Sequence, residues 1–314
     1  MTTATYQRVL EAMDELGYHP NAHARRLRSN QAGALGLTLI DPSRGFLADA
    51  FIVEVMAGIG DVLRRHNYEL LIHGIDPARS ESPRDVVAPL GERRVDGMIL
   101  IASGPWEQRR PYVVTLVESG YPAVLLQEQV QAANACCLRT DDLVGALSAT
   151  EYLIEAGHRR IGFLTGAVSW PAVEARYQGY RQALPSHQWN QPQPRIIAPE
   201  WTRQSASAAM VDFLQGTDRS AWPSAVLCAN DVLAVGALQA ARSMGLRVPD
   251  DLAVVGFDDM DLCCYTDPQL TTVNVPAYDM GAYAATSLLH WLSERTFRSQ
   301  DVVFPARFVR RDSA

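Results

Sequence analysis

Residues 222–259, WPSAVLCANDVLAVGALQAARSMGLRVPDDLAVVGFDD, contain the pattern that decides the fold. An apolar run at 224–228 has the length of a buried strand, and apolar residues then recur at helical spacing over 232–244. Gly245 stands where helices often end, and a second apolar run of strand length follows at 252–257. The stretch therefore predicts a strand, a helix and a second, parallel strand.

Polar residues follow both predicted strands. Asn230 and Asp231 come after the first strand, and Asp258 and Asp259 come after the second. In an open parallel sheet the carboxyl ends of the strands face the ligand crevice, which favours a binding role for these side chains. The alternative is that Asn230 and Asp231 only cap the following helix, as Asn and Asp often do. The pattern by itself leaves both interpretations open.

Composition excludes several classes of protein. The chain has 314 residues, 47% of them hydrophobic and 20% charged, which is typical of a globular protein with a substantial core and room for two domains. No apolar run approaches the roughly 18 residues that a membrane span needs, so we expect a cytoplasmic protein without membrane contact. The five cysteines fit neither a disulfide framework nor zinc spacing, and we expect no metal and no cofactor.

The rest of the chain repeats the alternation of strands and helices. It starts at residue 34, is interrupted at 139–142 and then resumes. Two successive sheets of similar size predict two lobes with a cleft between them. The section 270–309 predicts a strand, a helix and a last strand at 302–309 with Pro305 inside it. Because this section is too short for a third domain, we expect the chain to cross back between the lobes.

The amino-terminal segment carries a cluster of arginines. Residues 5–16 have the pattern of an amphipathic helix, and Asn21 is a good N-cap for a short helix that ends near Ser29. That helix is poor in apolar residues and too short to be stable alone. DNA would stabilise it by neutralising the Arg side chains and by accepting Leu27 in a widened minor groove. An ordinary charged linker would have the same composition.

A set of different short motifs occurs along the chain in a characteristic order. They are Leu16-Gly17-Tyr18-His19-Pro20-Asn21 with Ala24 and Leu27, Gly157-His158-Arg159-Arg160-Ile161, Arg176-Tyr177-Gln178-Gly179-Tyr180, Asn230-Asp231 with Gly236, Val248-Pro249-Asp250-Asp251, Val255-Gly256-Phe257-Asp258-Asp259 and Leu270-Thr271-Thr272. Together they resemble the lactose repressor (LacI) family of bacterial transcription regulators. Each motif alone is weak, but the ordered set is specific and covers essentially the whole chain.

The resemblance implies an α/β fold with a two-lobed core similar to periplasmic binding proteins. Each lobe is a Rossmann-like subdomain with a parallel sheet, and a helix-turn-helix headpiece and a hinge helix precede the core. The implied division is a headpiece remnant at 1–19, a hinge helix or linker at 20–31, a first lobe made of 32–139 plus 270–294, and a second lobe made of 140–269 plus 295–314.

The hinge segment matches the family's DNA-contacting helix. The resemblance implies that Leu27 is its minor-groove wedge, and it favours DNA contact over a plain linker. The implied contact residues are Asn21, Ala24, Arg25, Arg26, Leu27 and Arg28. The family headpiece has three helices and this sequence begins where the third would start, so we expect the amino terminus of the natural protein to be missing here.

In the core, the resemblance implies that Arg176, Asn230 and Asp258 line an effector cleft between the lobes. The chemistry of these residues suits hydroxyl groups. Arg offers a fork of N–H donors, Asp accepts hydrogen bonds from paired hydroxyls, and Asn does both.

Three further residues are candidates for the same cleft. Phe46 and Trp201 match positions where an aromatic side chain packs on the effector, with ordinary core packing as the alternative. Gln127 stands where many family members carry Asp. It keeps an acceptor but loses the charge, so the effector's identity is less defined.

The resemblance predicts a ligand-controlled transcription regulator, expected to be a repressor. Its implied partners are operator DNA, a small effector such as a sugar, sugar acid or nucleoside, and a second copy of the chain. A sugar-binding protein of the same fold without DNA-binding function is the alternative. An enzyme is the third possibility, but the sequence has no G-x-G-x-x-G after a strand and no G-x-S-x-G elbow, so we expect no catalytic residues.

Overall fold

A computed structural model describes residues 31–41, 49–80, 82–167, 170–184 and 194–314, and the single residues Thr5, Gln7, Arg8, Ala12, Met13 and Glu15. These single residues are helical and fall within the predicted amphipathic helix at 5–16. Phe46 and the predicted DNA-contacting residues at 21–28 lie outside the described residues.

The described chain alternates between strands and helices. The strands are β1 (Ala34–Ile40), β2 (Glu69–Ile75), β3 (Gly97–Ala102), β4 (Ala123–Leu126), β5 (Ala135–Thr140), β6 (Ile161–Gly166), β7 (Arg195–Ala198), β8 (Ala225–Cys228), β9 (Ala253–Val255), β10 (Thr272–Asn274), β11 (Asp301–Phe304) and β12 (Arg307–Val309). The longer helices are α1 (Ala50–His66), α2 (Trp106–Glu118), α3 (Asp142–Glu155), α4 (Pro171–Ala183), α5 (Arg203–Gln215), α6 (Asp231–Ser243) and α7 (Ala277–Glu294). Shorter helical turns cover Pro83–Val87, Ala88–Gly91, Arg219–Ala221 and Asp261–Cys264.

Two parallel sheets form the cores of two lobes. The first has the strand order β2-β1-β3-β4-β5-β11, and the second has the order β7-β6-β8-β9. Every residue of β1 and β3 is buried, as expected for parallel strands that are covered on both faces. This arrangement confirms the predicted α/β fold with a parallel sheet in each lobe.

The stretch 222–259 forms the predicted unit. β8, α6 and β9 follow one another, and β8 pairs with β9 in parallel. Gly245 follows α6 with a φ of 71°, a left-handed conformation that glycine adopts without steric cost. The strand β5 was not predicted. It contains Cys136 and Cys137, which are both buried in the first lobe.

The chain crosses between the lobes after β5, after β10 and after β11. The predicted single strand at 302–309 is wrong, because it is divided at Pro305 into β11 and β12. Proline has no N–H group to donate, so a strand ladder does not continue through it. β11 pairs with β5 in the first sheet, whereas β12 pairs antiparallel with β10.

The observed strand pairing divides the lobes at other residues than predicted. β10 lies in the second lobe, because Thr271 and Asn274 form bridges with Val255 and Asp258 at the end of β9 and just after it. The prediction placed 270–294 in the first lobe and 295–314 in the second. In the structure, β10 and β12 belong with the second sheet, and α7 and β11 belong with the first.

Glycines allow α1 and α7 to pack with their backbones in close contact. A Cβ atom added at Gly58 would lie 2.0 Å from the backbone oxygen of Tyr278, and one added at Gly281 would lie 2.1 Å from that of Val55. The contact holds α7 on the first lobe, although α7 lies far along the chain. Within the described residues, no helix combines the length and apolar character required to span a membrane.

Candidate functional site

A cleft lies between the lobes, at the carboxyl ends of strands from both sheets. It encloses about 570 Å³, including space that is open to solvent at its mouth. The lining residues are Asp49, Phe51, Ile101, Ala102 and Gln127 from the first lobe and Trp170, Pro171, Ala172, Val173, Arg176, Trp201, Asn230 and Asp258 from the second. All the predicted cleft residues that the structure describes are in this set.

Arg176 extends from α4 into the base of the cleft and is 5% exposed. Its Nε donates to Oδ1 of Asp142 at 2.8 Å, and its Nη1 donates to the backbone oxygen of Ala229 at 2.6 Å. The guanidinium carbon lies 3.8 Å from the centre of the Phe257 ring. Burial alone would lower the pKa of Arg176, but the carboxylates of Asp258 and Asp142 outweigh it and the pKa is raised. Arg176 therefore stays positively charged, and its hydrogen bonds hold the guanidinium at this position.

Asp258 follows β9 in a strained conformation. Its φ is 108°, which residues with a side chain rarely adopt and which occurs preferentially at ligand sites. Its Oδ1 lies 2.9 Å from Nη2 of Arg176, yet this oxygen accepts no aligned hydrogen bond within the described structure. Burial raises the pKa of Asp258 well above its usual range, although the charge of Arg176 opposes this.

Asn230 caps the helix that follows it and also lines the cleft. Its Oδ1 accepts a hydrogen bond from the backbone N–H of Leu233 at 2.9 Å and so caps α6. Its Nδ2 lies in a residue that lines the cleft and donates to none of the described residues. The side chain therefore caps the helix with its oxygen, while its NH2 group has no acceptor among the described residues.

Asp231 has a structural role instead. It is 0% exposed, and its Oδ1 accepts from the hydroxyl of Thr272 at 2.5 Å while its Oδ2 accepts from the backbone N–H of Met260 at 2.8 Å. Burial raises the pKa of Asp231 to about 6. These contacts join the start of α6 to the loop after β9 and to β10, next to Asp258.

Gln127 connects the first lobe to the polar groups of the second. It adopts a left-handed conformation with a φ of 58° at the end of β4, and its Nε2 donates to the hydroxyl of Thr140 at 2.8 Å. The Thr140 hydroxyl donates to Oδ2 of Asp142, whose Oδ1 accepts from Arg176. A continuous series of hydrogen bonds therefore runs from Gln127 across the first chain crossing to Arg176.

Aromatic side chains form walls of the cleft. Trp201 lies directly over Gly166 at the end of β6, where an added Cβ atom would be 2.4 Å from the indole ring. Phe51 and Trp170 line the same space and were not predicted. Phe46, the other predicted aromatic residue, lies outside the described residues.

Two carboxylates of the site were missed in the sequence. Asp49 caps α1 by accepting from the backbone N–H of Ile52 at 3.2 Å, and burial raises the pKa of Asp49. Asp142 is buried against Arg176 at the start of α3. Both stand just before or at a helix start, where Asp is common for capping alone, and neither directly follows a predicted strand, so no sequence signal distinguished them from ordinary caps.

Comparisons with known proteins agree with this architecture. A family profile described as a periplasmic binding protein-like domain matches residues 150–314. The HTH-type transcriptional repressor CytR of Escherichia coli (strain K12) is 32% identical over 315 aligned residues, which cover 100% of this chain and 88% of that protein. The chain belongs to the LacI family of transcription regulators.

Solved structures of similar proteins cover the whole chain of this LacI-family member. A lac repressor dimer bound to operator and the anti-inducer ONPF superimposes with a TM-score of 0.83 at 26% identity, covering 100% of this chain and 91% of that one. A complex of the transcriptional regulator CelR with cellobiose has a TM-score of 0.75 at 27% identity and covers 100% and 92%. The predicted family and its two-lobed fold are therefore confirmed.

The charges of the cleft limit what this LacI-family protein can bind. The carboxylates of Asp49 and Asp258 line it, and Asp142 lies directly behind Arg176, the one guanidinium among the described lining residues. Because Arg176 is already paired with Asp142 and Asp258, a negatively charged ligand would find no unpaired positive charge among the described lining residues of this partly desolvated site. The described residues include no group of three or more His, Cys, Asp or Glu side chains placed to hold a metal ion. The arrangement suits a neutral ligand with several hydroxyl groups.

Proposed function

We propose that this transcription regulator responds to a small, neutral, hydroxyl-rich effector, a sugar or a nucleoside, bound between its lobes. Operator DNA is the second partner, contacted through the arginine-rich segment at 21–28. The charge of the cleft argues against a sugar acid, which the sequence alone left open.

One observation carries the proposal: the cleft holds polar groups whose hydrogen-bonding capacity is unused. Oδ1 of Asp258 is buried without an aligned donor, and Nδ2 of Asn230 has no acceptor among the described residues. Arg176 has five N–H donors, of which one on Nε and one on Nη1 donate to Asp142 and Ala229, while Nη2 lies 2.9 Å from Oδ1 of Asp258 without an aligned hydrogen bond. A buried polar atom without an aligned hydrogen bond is costly, and ligand hydroxyls placed here would supply aligned donors and acceptors to these groups.

The connection between the lobes supports control by the effector. Gln127 and Arg176 lie on opposite lobes and belong to one series of hydrogen bonds, so a ligand that contacts both has different affinities for different lobe arrangements. Such a difference shifts the population of the two arrangements, and couplings of this kind are typically about 1–3 kcal/mol. In this proposal the shift changes DNA affinity. A sugar-binding protein without DNA-binding function is the weaker alternative, because the relatives are transcription regulators.

A thermal-shift screen against neutral sugars, sugar acids and nucleosides tests the proposal. A ligand at 100 times its dissociation constant stabilises the folded state by roughly 2.7 kcal/mol, which raises the melting temperature by about 4 °C or more for a chain of this size. We expect a neutral sugar or a nucleoside to give the largest shift. A sugar acid as the tightest ligand would overturn the proposed class of effector.

The variant Asp258→Asn then tests the site. Asn tolerates a positive φ and keeps the shape of Asp, so the fold is retained while the charge is lost. A hydrogen bond to a charged group contributes about 1.5–3 kcal/mol, which predicts a loss of affinity of about 10- to 150-fold. Asp250→Asn removes the same charge from an exposed pair with Arg247 and is the matched control. Unchanged affinity in Asp258→Asn would show that the effector binds elsewhere.

A further inference from the structure

The loop after β9 that carries Asp258 has an unusual backbone. Asp258 and Asp259 both have a positive φ, of 108° and 57°, in consecutive positions. Residues with a side chain adopt such conformations only where the surrounding structure imposes them. Because the direction of the Asp258 carboxylate depends on this backbone, the contacts that hold the loop also place Asp258 in the cleft.

Asp259 is held at both of its carboxylate oxygens. Oδ1 accepts from Nη2 of Arg311 at 2.7 Å, and Oδ2 accepts from Nδ2 of Asn274 at 3.1 Å. The side chains of Asp259 and Arg311 are each 16% exposed, so water and salt screen this ion pair only weakly. Asp259 is not among the described residues that line the cleft. Its charge therefore fixes the loop and is not offered to a ligand.

Arg311 lies in the segment after β12, and this segment is itself fixed against the second lobe. The backbone N–H of Arg311 donates to the hydroxyl of Thr271 at 3.0 Å, and its Nη1 donates to the backbone oxygen of Leu270 at 2.9 Å. Two residues further on, the hydroxyl of Ser313 donates to the backbone oxygen of Val254 in β9 at 2.6 Å. The guanidinium therefore joins a firmly held segment to the loop.

The remaining contacts hold the residues on either side of Asp259. The backbone N–H of Asp258 donates to the backbone oxygen of Val273 at 2.8 Å, and that of Met260 donates to Oδ2 of Asp231 at 2.8 Å. Within the described structure, Asp259 forms hydrogen bonds through its side chain alone. The middle of the loop therefore depends on the contact with Arg311.

We propose that Arg311 is a positioning residue of the effector site: through Asp259 it holds the loop in the backbone conformation that directs Asp258 into the cleft. The inference rests on the proposed function and concerns the same site. Arg311 itself is not among the described lining residues and acts without touching the ligand. Without its guanidinium the loop relaxes from its positive φ angles, and the carboxylate of Asp258 moves from its position 2.9 Å from Nη2 of Arg176.

Amide hydrogen exchange of the variant Arg311→Met tests the proposal without any ligand. Methionine keeps much of the apolar stem and removes the donors. We expect the segment 256–260 to exchange about tenfold or more faster, because a hydrogen bond to a charged group contributes at least that factor. The strand β8 at 225–228 should keep its exchange rate. Arg311→Lys should restore part of the protection, because its ammonium group can still pair with Asp259.

Two further variants separate positioning from a general loss of stability. Arg310→Met changes the neighbouring exposed arginine, whose guanidinium carbon lies 5.6 Å from the ring centre of Tyr152, and should leave the exchange of 256–260 unchanged. Arg311→Met and Asp259→Asn remove the same ion pair, so the double variant should exchange no faster than the faster single variant. Unchanged exchange at 256–260 in Arg311→Met, or an equal acceleration in β8, would overturn the inference.

Isothermal titration with ribose, glucose, adenosine and uridine measures the consequence for binding. Any of these that binds the wild type should bind Arg311→Met about tenfold or more weakly, with partial recovery in Arg311→Lys and none of the loss in Arg310→Met. Equal affinity in the wild type and Arg311→Met would overturn the positioning role and leave the proposed function standing. Binding of none of the four would count against the proposed class of effector, and the exchange rates at 256–260 would then decide the role of Arg311 by themselves.

Discussion

The variant Arg176→Met tests how the base of the cleft is held together without requiring any ligand. Methionine keeps much of the apolar stem of Arg but removes the charge. The guanidinium is buried between Asp142 and Asp258, and the side chain of Asp142 is only 1% exposed. The variant therefore leaves two buried carboxylates without their counter-ion.

The loss of folding free energy in Arg176→Met can be estimated in two ways that agree. Removing one partner of a buried ion pair typically destabilises a protein by about 3–5 kcal/mol. Independently, a buried carboxylate without a counter-ion takes up a proton, and holding one carboxyl protonated at pH 7 costs about 4 kcal/mol, from about 1.36 kcal/mol per unit over roughly three units. The second route also predicts that the loss decreases as the pH falls from 7 to 5.

Urea unfolding at pH 7 and pH 5 measures these free energies. Arg139→Met is the matched control, because Arg139 forms a similar two-bonded pair with Asp301 but the two side chains are 29% and 45% exposed. Exposed pairs contribute about 0.2–1 kcal/mol, so this control should lose little stability. The double variant Arg176→Met with Asp142→Asn should recover part of the loss. If Arg176→Met lies within about 1 kcal/mol of the wild type at pH 7, the proposed dependence on burial is refuted.

Two further experiments test the pH response and the lobe packing. Burial raises the pKa of Glu128 from 4.5 to about 7, so the folded protein binds the carboxyl proton more tightly than the unfolded chain does. The stability that this protonation contributes is fully present below pH 4.5 and is lost as the pH rises to 7. The stability of the wild type relative to Glu128→Gln should therefore fall by up to roughly 3 kcal/mol between pH 4.5 and pH 8, and a flat difference in urea unfolding would contradict this. Gly58→Ala should destabilise the protein by about 1–3 kcal/mol or more, because the new Cβ atom meets the backbone of Tyr278. Gly60→Ala in the same helix has no atom within 4 Å of the added Cβ and should instead stabilise it by about 0.5–1 kcal/mol; equal melting temperatures for the two variants would count against the packing argument.

The sequence predicts the fold well where the hydrophobic periodicity and the capping or turn residues mark the same element boundaries. The stretch 222–259 gives strand, helix and strand because apolar runs, Asn230 and Gly245 mark the same boundaries. It fails at 302–309, where an apolar alternation continues through Pro305 while the chain changes lobes. Alternation shows that residues are half-buried, but it does not show which sheet buries them.

The site was predictable in part for the same reason. Strand ends gave Asn230 and Asp258 as candidates, and the family motifs selected Arg176. Asp231 carries the same local signal as Asp258, yet its carboxylate is turned into the fold and joins α6 to β10. Which of two neighbouring carboxylates faces the cleft depends on backbone angles such as the φ of 108° at Asp258, which tertiary contacts impose and which residue type does not reveal.

The repeated crossing of the chain between the lobes has a consequence for how the protein can be divided. A fragment such as 150–314 would contain α7 and β11 without α1 and β5, against which they pack. Met280 and Leu288, which are 0% exposed in the intact chain, would then face water. The complementary fragment 1–149 would lack β11, the edge strand of the first sheet, and α7, the helix that packs on the first lobe. The lobes are distinct in space, yet neither is encoded by one continuous segment, so unfolding of either is coupled to the other and a single cut cannot release a stable half.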